Sequence, residues 1–258
     1  MPRIKLVALD LDGVIRDVSR VVYECHRAAM KVVGLDGEFL GSFSVDELWH
    51  FKGLGRFNNR KLSMIAVALI LKAAKSGEVK EAILHADAEE RIGRIIDSQP
   101  QGWMADKLDA MADAYVEVFN SDDSARMISI YPGAFDAVSK LARARPMAMV
   151  TNSSLVALKR DIPDNILSKF GAIITRRDVK ASKPSPEGLM MISSSMKIDA
   201  KDMIYVGDTA VDVRAAKAAG CMSAVVLSGM GLRQHLEKEN PDFIFNDLNE
   251  AAAWILAN

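Results

Sequence analysis

The run Ile4-Lys5-Leu6-Val7-Ala8-Leu9-Asp10-Leu11-Asp12-Gly13-Val14 decides how the rest of this chain is read. Its first six residues are mostly aliphatic, as a central strand buried on both faces requires. The strand stops at an acid, a spacer, a second acid and a glycine. Carboxylates at the C-terminal end of a strand stand in the crevice where open α/β sheets bind ligands. Acids in such a place are costly unless a cation or a reaction uses them. A calcium loop would need further acids at alternating positions and a closing Glu, which Val14, Ile15 and Arg16 do not supply. Read alone, the segment also fits an ordinary turn, so the choice rests on the remainder of the sequence.

Working outward, three later strand ends carry matching polar residues. Pro146-Met147-Ala148-Met149-Val150 runs into Thr151-Asn152-Ser153-Ser154. Ala172-Ile173-Ile174-Thr175 leads through Arg176-Arg177-Asp178 to Ser182-Lys183-Pro184. Asp202-Met203-Ile204-Tyr205-Val206 ends in Gly207-Asp208-Thr209, with Asp212 four residues after Asp208. An acid pair, a hydroxyl, a lysine and a second acid pair behind hydrophobic strands suit phosphoryl transfer. The transferred group needs a cation, an ammonium and hydroxyl or backbone donors around its oxygens.

In order and spacing, Asp10-Leu11-Asp12-Gly13-Val14, Thr151-Asn152-Ser153, Lys183-Pro184 and Gly207-Asp208-Thr209-Ala210-Val211-Asp212 resemble the four motifs of the haloacid dehalogenase superfamily. The similarity is to the branch containing phosphoglycolate-phosphatase-like enzymes. It covers the core from both ends and leaves the stretch between about Asp17 and Ile130 without a motif. The resemblance implies an α/β fold, a Rossmann-like parallel sheet. It also implies that Asp10 is the nucleophile forming an aspartyl-phosphate. Asp12 would protonate the leaving alkoxide and then activate water. Magnesium would be held by the Asp10 carboxylate, the Asp12 backbone carbonyl and the Asp208 carboxylate. Thr151 and the backbone N–H of Asn152 would bind the phosphoryl group, and Lys183 would neutralise charge on Asp10 and the phosphoryl oxygens. Asp212 would orient Lys183 or a metal-bound water. In this superfamily the dehalogenases lack an acid at the place of Asp12, and the phosphonate-cleaving branch usually has a small residue there. Asp12 and Asp208 together favour phosphate ester chemistry.

Composition sets limits. The chain has 258 residues, 50% of them hydrophobic, which allows a real core in one large domain or two modest ones. The net charge of -1 gives no basic field pointing to nucleic acid. The two cysteines, Cys25 and Cys221, form no staple framework and no C-x-x-C metal spacing, and Cys221 is expected to be a buried thiol. A reducing, cytoplasmic setting follows as the default. The short apolar run after Arg3 and Lys5 already contains Asp10 and Asp12, so no signal peptide is expected. No segment reaches the about 18 uninterrupted apolar residues of a membrane span. Met64 to Ala74 is better read as a buried helix. Asn152-Ser153-Ser154 has the form of a glycosylation sequon but lies in the expected site of an intracellular protein.

Periodicity divides the chain. Arg20 to Val33 reads as a helix ended by Gly34, followed by a loop containing Gly37, Gly41 and Ser44. Further helical patterns run from about Asn59 to Lys75, Val79 to Ile96 and Met104 to Phe119. No convincing strand interrupts them, so residues 18–130 are expected to form an inserted all-helical cap. Residues 1–17 and 131–258 then form the core, where strand–helix alternation implies a parallel sheet with right-handed crossovers. Its helices are expected near Ala134–Ala144, Leu155–Arg160, Pro186–Met196 and Val211–Ala219. The last of these would point its N-terminal N–H groups into the crevice. Asp208-Thr209 also reads as an N-cap, but that leaves Asp212, one turn later on the same face, without a purpose.

Before the second cap helix, His50, Lys52, Arg56, Asn58 and Asn59 cluster around Gly53 and Gly55. Lys52 and Arg56 fit a loop that binds a carboxylate or second anionic group of the substrate. The same residues fit a solvated loop that starts a helix. Arg16, directly after the first motif, is placed to face the cleft and bind substrate. His26, His85 and His235 read as surface or satisfied helix residues. Gly229-Met230-Gly231 lacks the third glycine and the ribose-binding acid of a dinucleotide fingerprint, and reads as the loop after a late core strand. The 14 methionines fit core packing.

The sequence thus leads to a magnesium-dependent phosphatase acting on a small phosphorylated metabolite, phosphoglycolate-like in its simplest form, as a monomer or homodimer without nucleic acid or membrane. A phosphomutase of the same fold would return the phosphoryl group to substrate. A non-catalytic binding protein on this fold would not need all six core polar residues.

Overall fold

The computed structural model describes residues 4–258, and in it the aliphatic run after Ile4 becomes β1 (Leu6–Leu9), buried along its whole length. The following strands are β2 (Arg16–Asp17), β3 (Ser129–Ile130), β4 (Met147–Val150), β5 (Ala172–Ile174), β6 (Met203–Gly207), β7 (Met222–Val226) and β8 (Phe243–Phe245). Six of them form one sheet in the order β5-β4-β1-β6-β7-β8, with every pairing parallel. After β5 the chain crosses back to the other side of β1, so β1 lies at the reversal of strand order. Ligand crevices of open α/β sheets form at that point, beyond the carboxyl ends of the strands.

Alternation along the strands buries both faces. Val7, Leu9, Met149, Ile204 and Val206 pack in one cluster with Val138 and Leu141 of the helix Ala134–Ala144 and with Ala251 and Ile255 of the helix Leu248–Ala257. Leu6, Ala8, Ala148, Met203 and Tyr205 pack on the other face against Leu189 and Ile192 of the helix Glu187–Met196 and Ala215 and Ala216 of the helix Ala210–Ala219. The helix Leu155–Asp161 follows β4. Core helices therefore fall within a residue or two of their expected positions. Their apolar faces are continuous and their ends carry turn residues.

The chain divides into two compact units, one comprising the residues up to Asp17 with Ser129–Asn258, the other Val18–Ile128. Ser129 and Ile130 belong with the first unit because β3 pairs antiparallel with β2, Arg16 opposite Ile130 and Asp17 opposite Ser129. Within the second unit the described residues form helices and turns without a strand. The long helices Ser19–Val32 and Leu108–Asn120 pack on each other. The apolar run at Met64 lies in the helix Arg60–Lys72, with Met64, Val67, Leu69 and Ile70 buried. Two expectations are corrected here. The glycine-containing loop after Gly34 is a helix, Asp36–Ser42, because fully buried Phe39 anchors it against Tyr23 with ring centroids 4.8 Å apart. The pattern from Val79 to Ile96 is two helices, Ser76–Ile83 and Ala88–Asp97, separated around exposed Leu84. No helix among the described residues is long and apolar enough to cross a membrane.

Candidate active site

Strand register brings the polar residues of the sequence together at one end of the sheet. Leu9 pairs with Met149 on one side and Val206 on the other, so the chains following β1, β4 and β6 leave the sheet side by side. Asp10 is tied there by its own N–H, which donates to the Val206 carbonyl at 2.9 Å. Thr151 is fixed likewise by its N–H to the Ile174 carbonyl at 3.0 Å. Asp208 follows β6 immediately, and Asp212 lies in the first turn of the next helix.

Lys183 sits at the centre of this group, nearly inaccessible. Its Nζ lies 2.8 Å from Asp10 Oδ2 and donates to Asp212 Oδ1 at 2.7 Å and to the Tyr205 hydroxyl at 2.7 Å. The three hydrogens of an ammonium match these three partners. Burial disfavours its charge, but Asp10 and Asp212 outweigh that and raise the ammonium above its usual range. Asp212 is pinned on its other oxygen, where Oδ2 accepts from the N–H groups of Asp208 and Thr209 and from the Thr209 hydroxyl. Burial pushes the Asp212 carboxyl up, but Lys183 and the Thr209 donors reverse that and leave it below the ordinary value. Asp212 thus serves as both helix cap and Lys183 anchor.

Asp10 and Asp208 are under-compensated. Each keeps one buried carboxylate oxygen, Oδ1, without a hydrogen-bond partner. Burial, ahead of the opposing pull of Lys183, pushes the Asp10 carboxyl up to about 7, and burial followed by Asp212 raises Asp208 well above its usual value. The ligand atoms of Asp10, Asp208 and Asp212 lie within 4.8 Å of one another. Ionised together, three buried carboxylates facing one ammonium would carry an excess of two negative charges. All-oxygen donors with such an excess fit a hard divalent cation.

Asp208 is also gripped from the backbone. Its Oδ2 accepts from Met230 N–H at 2.8 Å, and its carbonyl accepts from Gly231 N–H at 3.1 Å. A Cβ at Gly229 would stand 2.1 Å from Asp208 Oδ2, and one at Gly13 would stand 2.0 Å from the same oxygen. Gly13 also has a φ of 81°. Gly229-Met230-Gly231 is therefore more than a loop after a strand, because its bare backbone holds an acid of the site. A G-x-G directly behind an apolar strand was the available signal. Tyr205 was likewise marked by being the one hydroxyl in the aliphatic run Met203–Val206.

The remaining expected residues are placed as follows. Thr151 is buried, and its Oγ1 accepts from Ser153 N–H at 3.1 Å; Asn152 is half-buried. Asp12 Oδ2 accepts from the Ser153 hydroxyl at 2.6 Å, and Oδ1 from Arg16 Nε at 2.6 Å. Arg16 corrects its expectation. It is fully buried, and its guanidinium is committed to Asp12, Asp161, Ser153 and the Ala157 carbonyl, so it is not presented to a substrate. Within the other unit, buried Lys52 donates to the Asn58 carbonyl at 3.1 Å and the Ser63 hydroxyl at 3.4 Å, and burial lowers its amine to about 8. Arg56 is paired with Asp97 at 2.9 Å, and Asn59 caps the helix Arg60–Lys72. His26 is a satisfied buried residue, 2.9 Å from Ser63 Oγ, and Cys221 is buried with its thiol raised by desolvation to about 11.

A parallel sheet with acids, a hydroxyl and a lysine at its strand ends is the core of a haloacid dehalogenase-type hydrolase. The chain belongs to the haloacid dehalogenase-like hydrolase family, whose sequence profile matches residues 4–220. Phosphoglycolate phosphatase of Escherichia coli (strain K12) is 32% identical over 124 residues, 47% of this chain and 49% of that protein. The chain spans about half the length of the curated relatives it matches. Two solved structures share the fold across nearly the whole chain. A haloacid dehalogenase-like family protein from Streptococcus pneumoniae superimposes with a TM-score of 0.71 at 16% identity, covering 98% of this chain and 99% of its own. A hydrolase from Pseudomonas syringae gives a TM-score of 0.61 at 18% identity, covering 96% of each chain.

Proposed function

We propose that this protein is a cytoplasmic, magnesium-dependent phosphatase that hydrolyses a small phosphorylated metabolite, phosphoglycolate-like in size and charge, through an aspartyl-phosphate on Asp10. The observation that supports this most directly is the pair of buried, unpartnered oxygens on Asp10 and Asp208 beside Lys183. Asp10, Asp208 and the Asp12 backbone carbonyl would hold the magnesium ion. When bound, that ion supplies charge neutralisation for the phosphoryl oxygens.

The chain's own residues divide the remaining work. Lys183 holds Asp10 in place at 2.8 Å and presents positive charge to the same oxygens. Thr151 and the Asn152 N–H bind the phosphoryl group as it moves to Asp10. Asp12 delivers a proton to the departing oxygen, then takes one from the water that opens the acyl phosphate. The similarity to phosphoglycolate phosphatases supports a small phosphate ester as the substrate class.

The test is hydrolysis of a panel of phosphorylated metabolites by the purified chain, with magnesium and with chelator. Magnesium-dependent release of inorganic phosphate from at least one small substrate is expected. Activity that appears only with a bisphosphate activator would make the protein a phosphomutase, and silence across the panel would refute the proposal. In the Val18–Ile128 unit, partly exposed Arg56 is proposed to set substrate choice, whereas Lys52 is buried with its ammonium committed to the Phe57 and Asn58 carbonyls and the Ser63 hydroxyl, and is not presented to a substrate. Arg56→Ala should raise KM for acidic substrates about tenfold, near the energy of one charge-assisted hydrogen bond, and leave p-nitrophenyl phosphate turnover close to normal. Unchanged KM values for every substrate in this variant would remove Arg56 from recognition.

A further inference from the structure

We propose that Arg16 is a positioning residue that fixes the carboxyl plane of Asp12, so that proton transfer to the leaving group depends on a buried side chain that never touches substrate. The inference rests on Asp12 being the acid and base of the proposed reaction. Arg16 closes a ring around that carboxyl. Its Nε donates to Asp12 Oδ1 at 2.6 Å, and its second terminal nitrogen donates to Ser153 Oγ at 3.1 Å. The Ser153 hydroxyl in turn donates to Asp12 Oδ2 at 2.6 Å. Each oxygen of Asp12 therefore gives up one lone pair to the clamp and keeps one for chemistry.

The charges show that the clamp serves Asp12. Asp161, almost wholly buried, is already paired with Arg160 through Nε at 2.6 Å and Nη2 at 3.1 Å. Arg16 is the next link of a chain that runs Arg160, Asp161, Arg16, Asp12, in which the signs alternate and the sum is neutral. Arg16 has no exposed side-chain surface and Asp161 2%, whereas Asp12 retains 21%. The chain thus ends in one accessible carboxyl, held from behind by a rigid, planar fork. In the first half-reaction a bond forms from Asp10 to phosphorus, the bond to the leaving oxygen breaks, and the proton on Asp12 moves to that oxygen. In the second, the oxygen of water bonds to phosphorus, the bond from Asp10 to phosphorus breaks and frees the Asp10 carboxylate, and the water gives a proton to Asp12. Both transfers need the same carboxyl in the same orientation, and misplacement of a positioned group is expensive even over small distances.

The measurement is kcat/KM for phenyl phosphate, whose leaving group needs a proton, and for 2,4-dinitrophenyl phosphate, whose leaving group does not. Arg16→Met should lose about 100-fold on phenyl phosphate and less than about threefold on the dinitrophenyl ester, the lower end of what general acid catalysis supplies. Arg16→Lys should recover part of the loss. Because Arg16→Met leaves Asp161 with one partner fewer, the double variant Arg16→Met/Asp161→Leu provides a neutral interior in which the same selectivity should appear. Asp12→Asn is the reference. If it discriminates between the esters and the Arg16 variants do not, the positioning role is overturned while the function of Asp12 stands. If Asp12→Asn does not discriminate, the acid assignment falls and this inference with it.

Discussion

Replacing Asp10 by Asn is expected to reduce turnover by more than about 10,000-fold, because loss of the proposed nucleophile would remove nearly everything the catalytic group contributes as a unit. The amide is nearly isosteric with the carboxylate, so β1 and its register have no reason to change. Asp10 is buried and carries one oxygen without a partner, and its neighbours Asp208 and Asp212 are carboxylates as well. Removing one of three negative charges relieves repulsion, so the variant should melt at the same temperature as the wild type or slightly above. Turnover within tenfold of wild type in a sample with confirmed sequence would end the nucleophile assignment.

Replacing Lys183 by Met should cost roughly 3 kcal/mol of stability at neutral pH, the range measured when one partner of a buried ion pair is removed. Lys183 is the ammonium against which Asp10 and Asp212 are balanced, at 2.8 and 2.7 Å. Without it, the folded-state values of Asp10, Asp208 and Asp212 all move upward. A carboxyl whose folded value is raised holds its proton where the unfolded chain has already lost its own. Its stabilising effect is complete below the ordinary carboxylate range and fades as pH rises through the folded value. In the wild type that value for Asp10 is about 7, and in the variant the fading extends higher. Denaturant melts from pH 5 to pH 8 without added metal should therefore show the variant falling away from the wild type as pH increases. A deficit that is constant with pH, or that shrinks as pH rises, would contradict this account of the site's charge balance.

The sheet and the core side of the site were legible for a common reason. Asp10, Thr151 and Asp208 directly follow aliphatic runs, and parallel strands place such run ends side by side, with Lys183 reached through the loop after β5. Asp10, Thr151, Lys183, Asp208 and Asp212 needed no distance information to be grouped. What escaped was what depends on approach from elsewhere in the chain. Gly229 and Gly13 look like ordinary turn glycines until Asp208 is seen lying against both. Arg16 sits where a cleft residue would sit, yet Asp161, distant in sequence, draws it inward. Phe39 turned an apparent glycine loop into a helix because a buried ring outweighs two weak helix formers. Local propensity carries none of these facts, since each is decided by a tertiary partner.

The antiparallel pairing of Arg16–Asp17 with Ser129–Ile130 has an architectural consequence. The departing and returning segments of the polypeptide meet as a hydrogen-bonded ribbon, so the intervening residues Val18–Ile128 are tethered at a single doorway. Their length can vary with little effect on the parent scaffold, since loop-closure entropy grows only with the logarithm of length. Such an attachment is suited to exchange. Evolution or an engineer can graft a different module onto the same doorway, with the parent scaffold's own chain path left as it is.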